Sequence, residues 1–218
     1  LIKTSGHYTA QQLYAAFEPM IPADQRERAR IAIDWIVVLS NRFNLDELAL
    51  CAILWIETGY GNQGLPFRHP NYLKENNLGN LGKTGDSKQD AEAQPWVNIQ
   101  DAVFGLVAHY VGYAYGSKWR TVWNVDDLGK PQTWDKRFDL AINNTPNRAG
   151  VKTLGDLNRR WAIDRDDDYG GKLAERANAL VNAMSPLVET PSTPPEPIPG
   201  EGEPMADPLD LIRPYLVE

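Results

Sequence analysis

The run Leu50-Cys51-Ala52-Ile53-Leu54-Trp55-Ile56-Glu57-Thr58-Gly59-Tyr60-Gly61 constrains this chain more than any other stretch, because it reads as an apolar helix that ends on a single carboxylate. On a helix Glu57 shares a face with Ile53 and Leu54, and that face is otherwise core. Two readings are open. Desolvation raises the pKa of a carboxyl group, and an acid that stays protonated near neutrality is what protonation of a glycosidic leaving oxygen requires. The alternative is a helix-end glutamate turned to water just before Gly59 stops the helix.

Other segments carry helix-start chemistry followed by helical periodicity. Asp24 with Glu27 opens the run Arg28 to Arg42, Asn44 with Glu47 opens the run ending at Glu57, and Asn98 with Asp101 opens Ala102 to Tyr115. In each, a capping side chain is followed three residues on by a carboxylate that can reach back. Thr153 with Asp156 opens a shorter helix reaching Arg160 or Trp161. Leu173, Ala177, Leu180 and Met184 mark a last helix of about four turns. The expected fold class is mainly α.

Between Tyr60 and Trp96 the pattern changes to Gly, Asn, Pro and Asp, centred on Asn76-Asn77-Leu78-Gly79-Asn80-Leu81-Gly82. This is loop chemistry, with room for one short hairpin around Lys83 to Asp90. Long loops inside a helical domain are usually functional, so a cleft wall is expected directly after Glu57. From Ser185 to Asp207 the chain is Pro-rich and acidic with no core pattern, which reads as a stiff disordered linker. The expected division is an N-terminal extension over 1–23 that packs on the domain, a domain over 24–184, and a tail over 185–218.

Charge and cysteine usage exclude several classes. The formal charge of −7 is concentrated in the tail, where seven acids face Arg213 alone, leaving residues 1–184 at −1. The body therefore offers no electrostatic argument for a nucleic-acid partner, and none is expected. Cys51 is the only cysteine, which rules out an internal disulfide and reads as a buried core thiol. His7, His69 and His109 lack metal-ligand spacing, and neither metal nor cofactor is expected. No apolar run approaches the ~20 residues of a membrane span. The N-terminal Leu-Ile-Lys-Thr-Ser-Gly has no signal-peptide pattern and no initiating Met, consistent with a processed protein or an excised segment.

Three blocks then stand in order: Glu57-Thr58-Gly59 after the apolar helix, the Asn77 to Gly82 loop, and Trp161-Ala162-Ile163-Asp164 followed by Tyr169-Gly170-Gly171-Lys172-Leu173. Together they resemble the lysozyme-like glucosaminidase family, bacterial and phage enzymes that cut the glycan strands of peptidoglycan. In that family a glutamate followed by Ser or Thr and then Gly ends the first core helix and is the general acid. An Asn-Leu-Phe-Gly-like loop and a Tyr-Ala-Thr-Asp-Pro-x-Tyr-like block leading into the last helix follow. The resemblance covers about residues 40 to 184. The chain departs from the pattern in its loop, where either Asn77 or Asn80 aligns with the family's asparagine, and in the longer spacing from Asp164 to Tyr169.

The resemblance implies a helical lobe and a small loop or β lobe flanking a glycan cleft, with Glu57 as acid and Tyr169 as the active-site tyrosine. For Tyr169, packing of a helix-start aromatic on the core is the other reading. Glycoside hydrolysis usually takes a second carboxylate, and Glu75, Asp86, Asp90 and Glu92 all lie in the following loop. Asp86 and Asp90 rank first because they flank the expected turn; the substrate acetamido group is the alternative nucleophile. Sugar clefts combine aromatic platforms with amide hydrogen bonds, and Tyr60, Trp96, Trp161, Asn77 and Asn80 form the expected binding set. Trp35 and Trp55 read as core, and Trp96 suits either role.

The expected activity is hydrolysis of β-1,4 bonds in peptidoglycan, of the endo-β-N-acetylglucosaminidase type, at the bacterial cell wall, whether extracellular, periplasmic or phage-delivered. The alternatives are a muramidase or lytic transglycosylase on the same fold, and a non-catalytic glycan-binding or structural part of a phage or envelope assembly. In the last of these readings the acidic tail is expected to serve as a tether, and it offers a link to a further domain or assembly.

Overall fold

The computed structural model describes residues 7–59, 64–79, 96–124, 128, 151–158 and 168–184, with the backbone alone at 71 and 75. Helix dominates these residues, and no strand occurs among them. The helices are α1 (Ala10–Phe17), α2 (Arg26–Phe43), α3 (Glu47–Thr58), α4 (Pro70–Glu75), α5 (Ile99–Tyr115), α6 (Trp119–Trp123) and α7 (Tyr169–Met184). None is long and apolar enough to cross a membrane.

Side-chain caps account for several helix starts, not always the caps expected. Thr9 opens α1 with a reciprocal capping box to Gln12, and Asn98 Oδ1 accepts from Asp101 N at 2.8 Å to open α5 as expected. Asp24, in contrast, caps nothing. It lies in a 3-10 turn over Ala23–Gln25 ahead of α2, and Glu27 pairs with Arg30 at 2.9 Å on the helix surface. Asn44 likewise closes α2 rather than opening α3: it takes φ 50, a left-handed conformation that Asn tolerates. Asp46 is the cap of α3, its Oδ1 accepting from Ala49 N at 2.9 Å. Glu47, freed from the capping role, is buried and accepts the Tyr8 N–H at 2.7 Å.

The α3 helix is the centre of the domain. Leu50, Cys51, Ala52, Ile53 and Leu54 have no exposed surface, which is why its sequence is apolar on nearly every side. It packs along α7 and α2, while α2 also packs on α5 and α1. The α1 helix lies against α2 and α7 and gives Leu13 and Phe17 to the same core. At the far end of α2, Phe43 stacks on Trp123 with ring centroids 5.0 Å apart, and Phe104 meets both Trp123 and Trp35 edge-on. This gives Trp123 a packing role in α6, a helix the sequence pattern did not announce.

Two further segments differ from expectation. Residues read as loop after Gly59 include the short helix α4, opened at Pro70, where a missing N–H costs nothing. The helix expected from Thr153 is a single 3-10 turn, Gly155–Leu157, and Asn158 leaves it with extended ψ 130. The anticipated pairing is nonetheless present, since Asp156 accepts from Lys152 N and Thr153 N at 3.0 and 2.9 Å. The hairpin expected around Lys83 to Asp90 lies outside the described residues, as does the 185–218 tail.

Candidate active site

Glu57 sits one residue before the end of α3 and is 8% exposed, so the core reading of its face describes its position and the solvent reading does not. The two residues after it have separate structural tasks. Thr58 is fully buried; its hydroxyl donates to Leu54 O at 2.6 Å and accepts from Phe67 N at 3.0 Å, while its carbonyl accepts from Arg68 N and His69 N at 2.9 Å each. One threonine thereby closes the helix and anchors the returning chain. Gly59 is required by proximity: a Cβ there would stand 2.8 Å from Trp55 O and 2.9 Å from Gly64 O.

The anchored chain is itself constrained. Trp55 Nε1 donates to Gly64 O at 2.8 Å, and the Arg176 guanidinium of α7 lies over the Trp55 ring. Phe67 takes φ 58, a left-handed conformation uncommon for a bulky residue and costing about 1–3 kcal/mol. Its buried ring, packed against Phe17 and Tyr72, and its bond to Thr58 hold it there.

Tyr169 is the first residue of α7, and its hydroxyl donates to Glu57 Oε1 at 2.6 Å in the core. Burial, and then the Glu57 charge, hold the Tyr169 phenol well above its ordinary range, so it keeps its proton and can only donate to a carboxylate. Tyr110 of α5 joins the pair. Its phenol is also raised, by burial first and then by Glu57, while its contact with the Tyr169 hydroxyl acts in the opposite direction. Two opposing influences therefore meet at Glu57: burial disfavours its charged form, and the Tyr169 hydrogen bond favours it.

Other expected residues are positioned differently. Asn77 is buried, and the asparagine before it ties the loop down: Asn76 takes φ 53, donates to Trp96 O at 3.0 Å, and accepts from the Arg28 guanidinium. Arg28 also donates to Gln25 Oε1 and lies over the Tyr72 ring, tying the start of α2 to the loop that follows α4. Trp96 is 7% exposed, with its six-membered ring laid on Gly105, where a Cβ would stand 2.3 Å from Cη2. That contact gives Trp96 a packing role. Tyr60, Asn80, Asp86, Asp90, Glu92 and Trp161 lie outside the described residues, as does the Glu75 side chain.

Cys51 is buried, and burial pushes its thiol far above the nucleophilic range. Among the described residues no cluster of His, Cys, Asp and Glu is placed to hold a metal ion. Nothing in the sequence singles out Tyr110, because a helix-interior tyrosine looks like core until its hydroxyl is located. In comparisons with protein-family profiles, curated proteins and solved structures, the chain has no match.

Proposed function

We propose that this protein hydrolyses β-1,4 glycosidic bonds of bacterial peptidoglycan as an endo-β-N-acetylglucosaminidase, with Glu57 as general acid. The observation that carries the reading is the buried Glu57 carboxyl with Tyr169 Oη 2.6 Å from Oε1. Because Tyr169 donates to Oε1, that oxygen accepts, and the acidic proton resides on Oε2. Glu57 then delivers this proton to the leaving oxygen as the glycosidic bond breaks, and the bond electrons stay with that oxygen.

The oxocarbenium-like state that forms is stabilised by a carboxylate of the 80–95 segment, Asp86 or Asp90, or by the substrate acetamide, and water then bonds to the anomeric carbon and gives its proton to a carboxylate. Tyr60, Asn80 and Trp161 contact the sugar in this proposal, Tyr169 orients the acid, and the buried Asn77 has no direct part in binding. The lysozyme-like two-lobed arrangement, the wall location and the tail as a tether belong to the same proposal.

The test is digestion of purified cell walls by wild type and Glu57→Gln, with products identified by mass spectrometry. The expected result is reducing N-acetylglucosamine ends from wild type and a loss of about a hundredfold or more in the variant. Unchanged hydrolysis by Glu57→Gln would sink the assignment, and muramic or anhydro-muramic ends would move it to a muramidase or transglycosylase.

A further inference from the structure

We infer that Asn158 is a positioning residue for the Glu57–Tyr169 pair: its side chain holds the first turn of α7, and through that turn the Tyr169 hydroxyl, at hydrogen-bond distance from Glu57. The first N–H groups of a helix have no partner within the helix. Here Asn158 Oδ1 accepts from Gly170 N at 2.6 Å, and Gly170 directly follows Tyr169.

The contact is close on the backbone side as well. A Cβ at Gly170 would stand 2.6 Å from Leu154 O and 2.7 Å from Gly155 Cα, so the backbone of α7 rests directly on the 3-10 turn. The turn is fixed in its own right. Asp156 ties its entry through Lys152 N and Thr153 N, Leu157 is fully buried beneath it, and Val151 N donates to Tyr113 O of α5 at 3.1 Å. A continuous set of contacts therefore runs from α5 through 151–158 to Gly170, the residue next to the tyrosine that touches Glu57.

Among the described residues, Tyr169 from α7 and Tyr110 from α5 interact electrostatically with Glu57, and Tyr113 with Tyr110 in turn. Asn158 is uncharged and acts on the Gly170 amide. Replacing it with another uncharged residue changes the ionisation of Glu57 by way of Tyr169. The consequence for rate rests on the reading of Glu57 as the acid, but the coupling is measured without any substrate.

The experiment is an NMR titration of the Glu57 side-chain carboxyl in the full chain, for wild type, Asn158→Leu and Asn158→Ala, each with and without Tyr169→Phe. Both Asn158 variants are expected to raise the Glu57 midpoint by roughly half or more of the rise that Tyr169→Phe causes, and to add little in the Tyr169→Phe background. A midpoint unchanged while thermal stability falls assigns Asn158 a purely structural role and overturns the inference. So does an equal shift in both backgrounds.

A second measurement needs no variant. The wild-type Gly170 amide is expected to be protected from hydrogen exchange, and exchange at the rate of an open chain overturns the proposal. If Glu57→Gln still cut cell walls, the catalytic reading would fall while the measured coupling stood.

Discussion

The Tyr169 hydroxyl donates to Glu57 Oε1 at 2.6 Å across 112 positions of sequence, joining the end of α3 to the start of α7 inside the core. A buried carboxyl alone is poorly solvated in its charged form, and a phenol that keeps its proton gives it one strong, directed partner. One bond thus orients the Glu57 side chain and occupies its Oε1.

Tyr169→Phe removes a donor that favours the ionised carboxyl, so the Glu57 pKa rises. If Glu57 is the acid of the proposed hydrolysis it acts while protonated, and the limb of the pH–rate profile that falls with rising pH moves to higher pH. Hydrolysis at the optimum falls roughly tenfold, the worth of one charge-assisted hydrogen bond. A profile with its alkaline limb unmoved would separate the phenol from the acid.

Burial pushes the Tyr72 phenol from its ordinary 10.0 up to about 12. The folded chain therefore keeps a proton that the unfolded chain has lost, and stability falls as pH rises from about 10 to about 12, by roughly 2–3 kcal/mol over that window. In Tyr72→Phe the decline is shallower, although the loss of the bond to Gln25 Oε1 costs about 1 kcal/mol at every pH below it. Urea unfolding at about pH 9 and about pH 11 checks both statements. Tyr110 and Tyr169, also raised, leave a residual alkaline slope.

Gly59→Ala places a methyl against two backbone carbonyls that cannot swing aside, and is expected to cost about 1–3 kcal/mol and to lower hydrolysis by shifting the helix end that carries Glu57. Gly105→Ala meets a side chain instead and displaces the Trp96 ring. Its signature is a changed near-UV circular dichroism spectrum with a similar loss of stability.

Asp46→Ala removes the cap of α3 and is expected to cost about 1 kcal/mol in denaturant unfolding. Asn44→Gly is expected to be nearly neutral, because Asn44 occupies the left-handed position that ends α2, where glycine fits without strain. Equal costs at the two positions would contradict the capping assignment.

Periodicity and composition by themselves were enough to determine the mainly helical character of the described residues, the burial of the apolar α3 run and the core position of Trp55, whereas Trp35 is only partly buried against that core. These follow from local rules, since an apolar helix has to bury whatever it carries. Cap identity was legible only where a single candidate was available, as at Asn98. At Asn44 and Asp46 two capping residues stand close together, and the left-handed turn between α2 and α3 decided which one serves. Glu57 could be singled out because a carboxylate in an apolar run is conspicuous in one dimension. Its relation to Tyr169 and Tyr110 could not be derived that way, because a hydrogen bond spanning 112 positions depends on how α3, α5 and α7 converge. The same holds for Trp96, whose role turned on a glycine nine residues away having no side chain, and for Asn158, whose partner is the amide of a helix turn that exists only once α7 has docked.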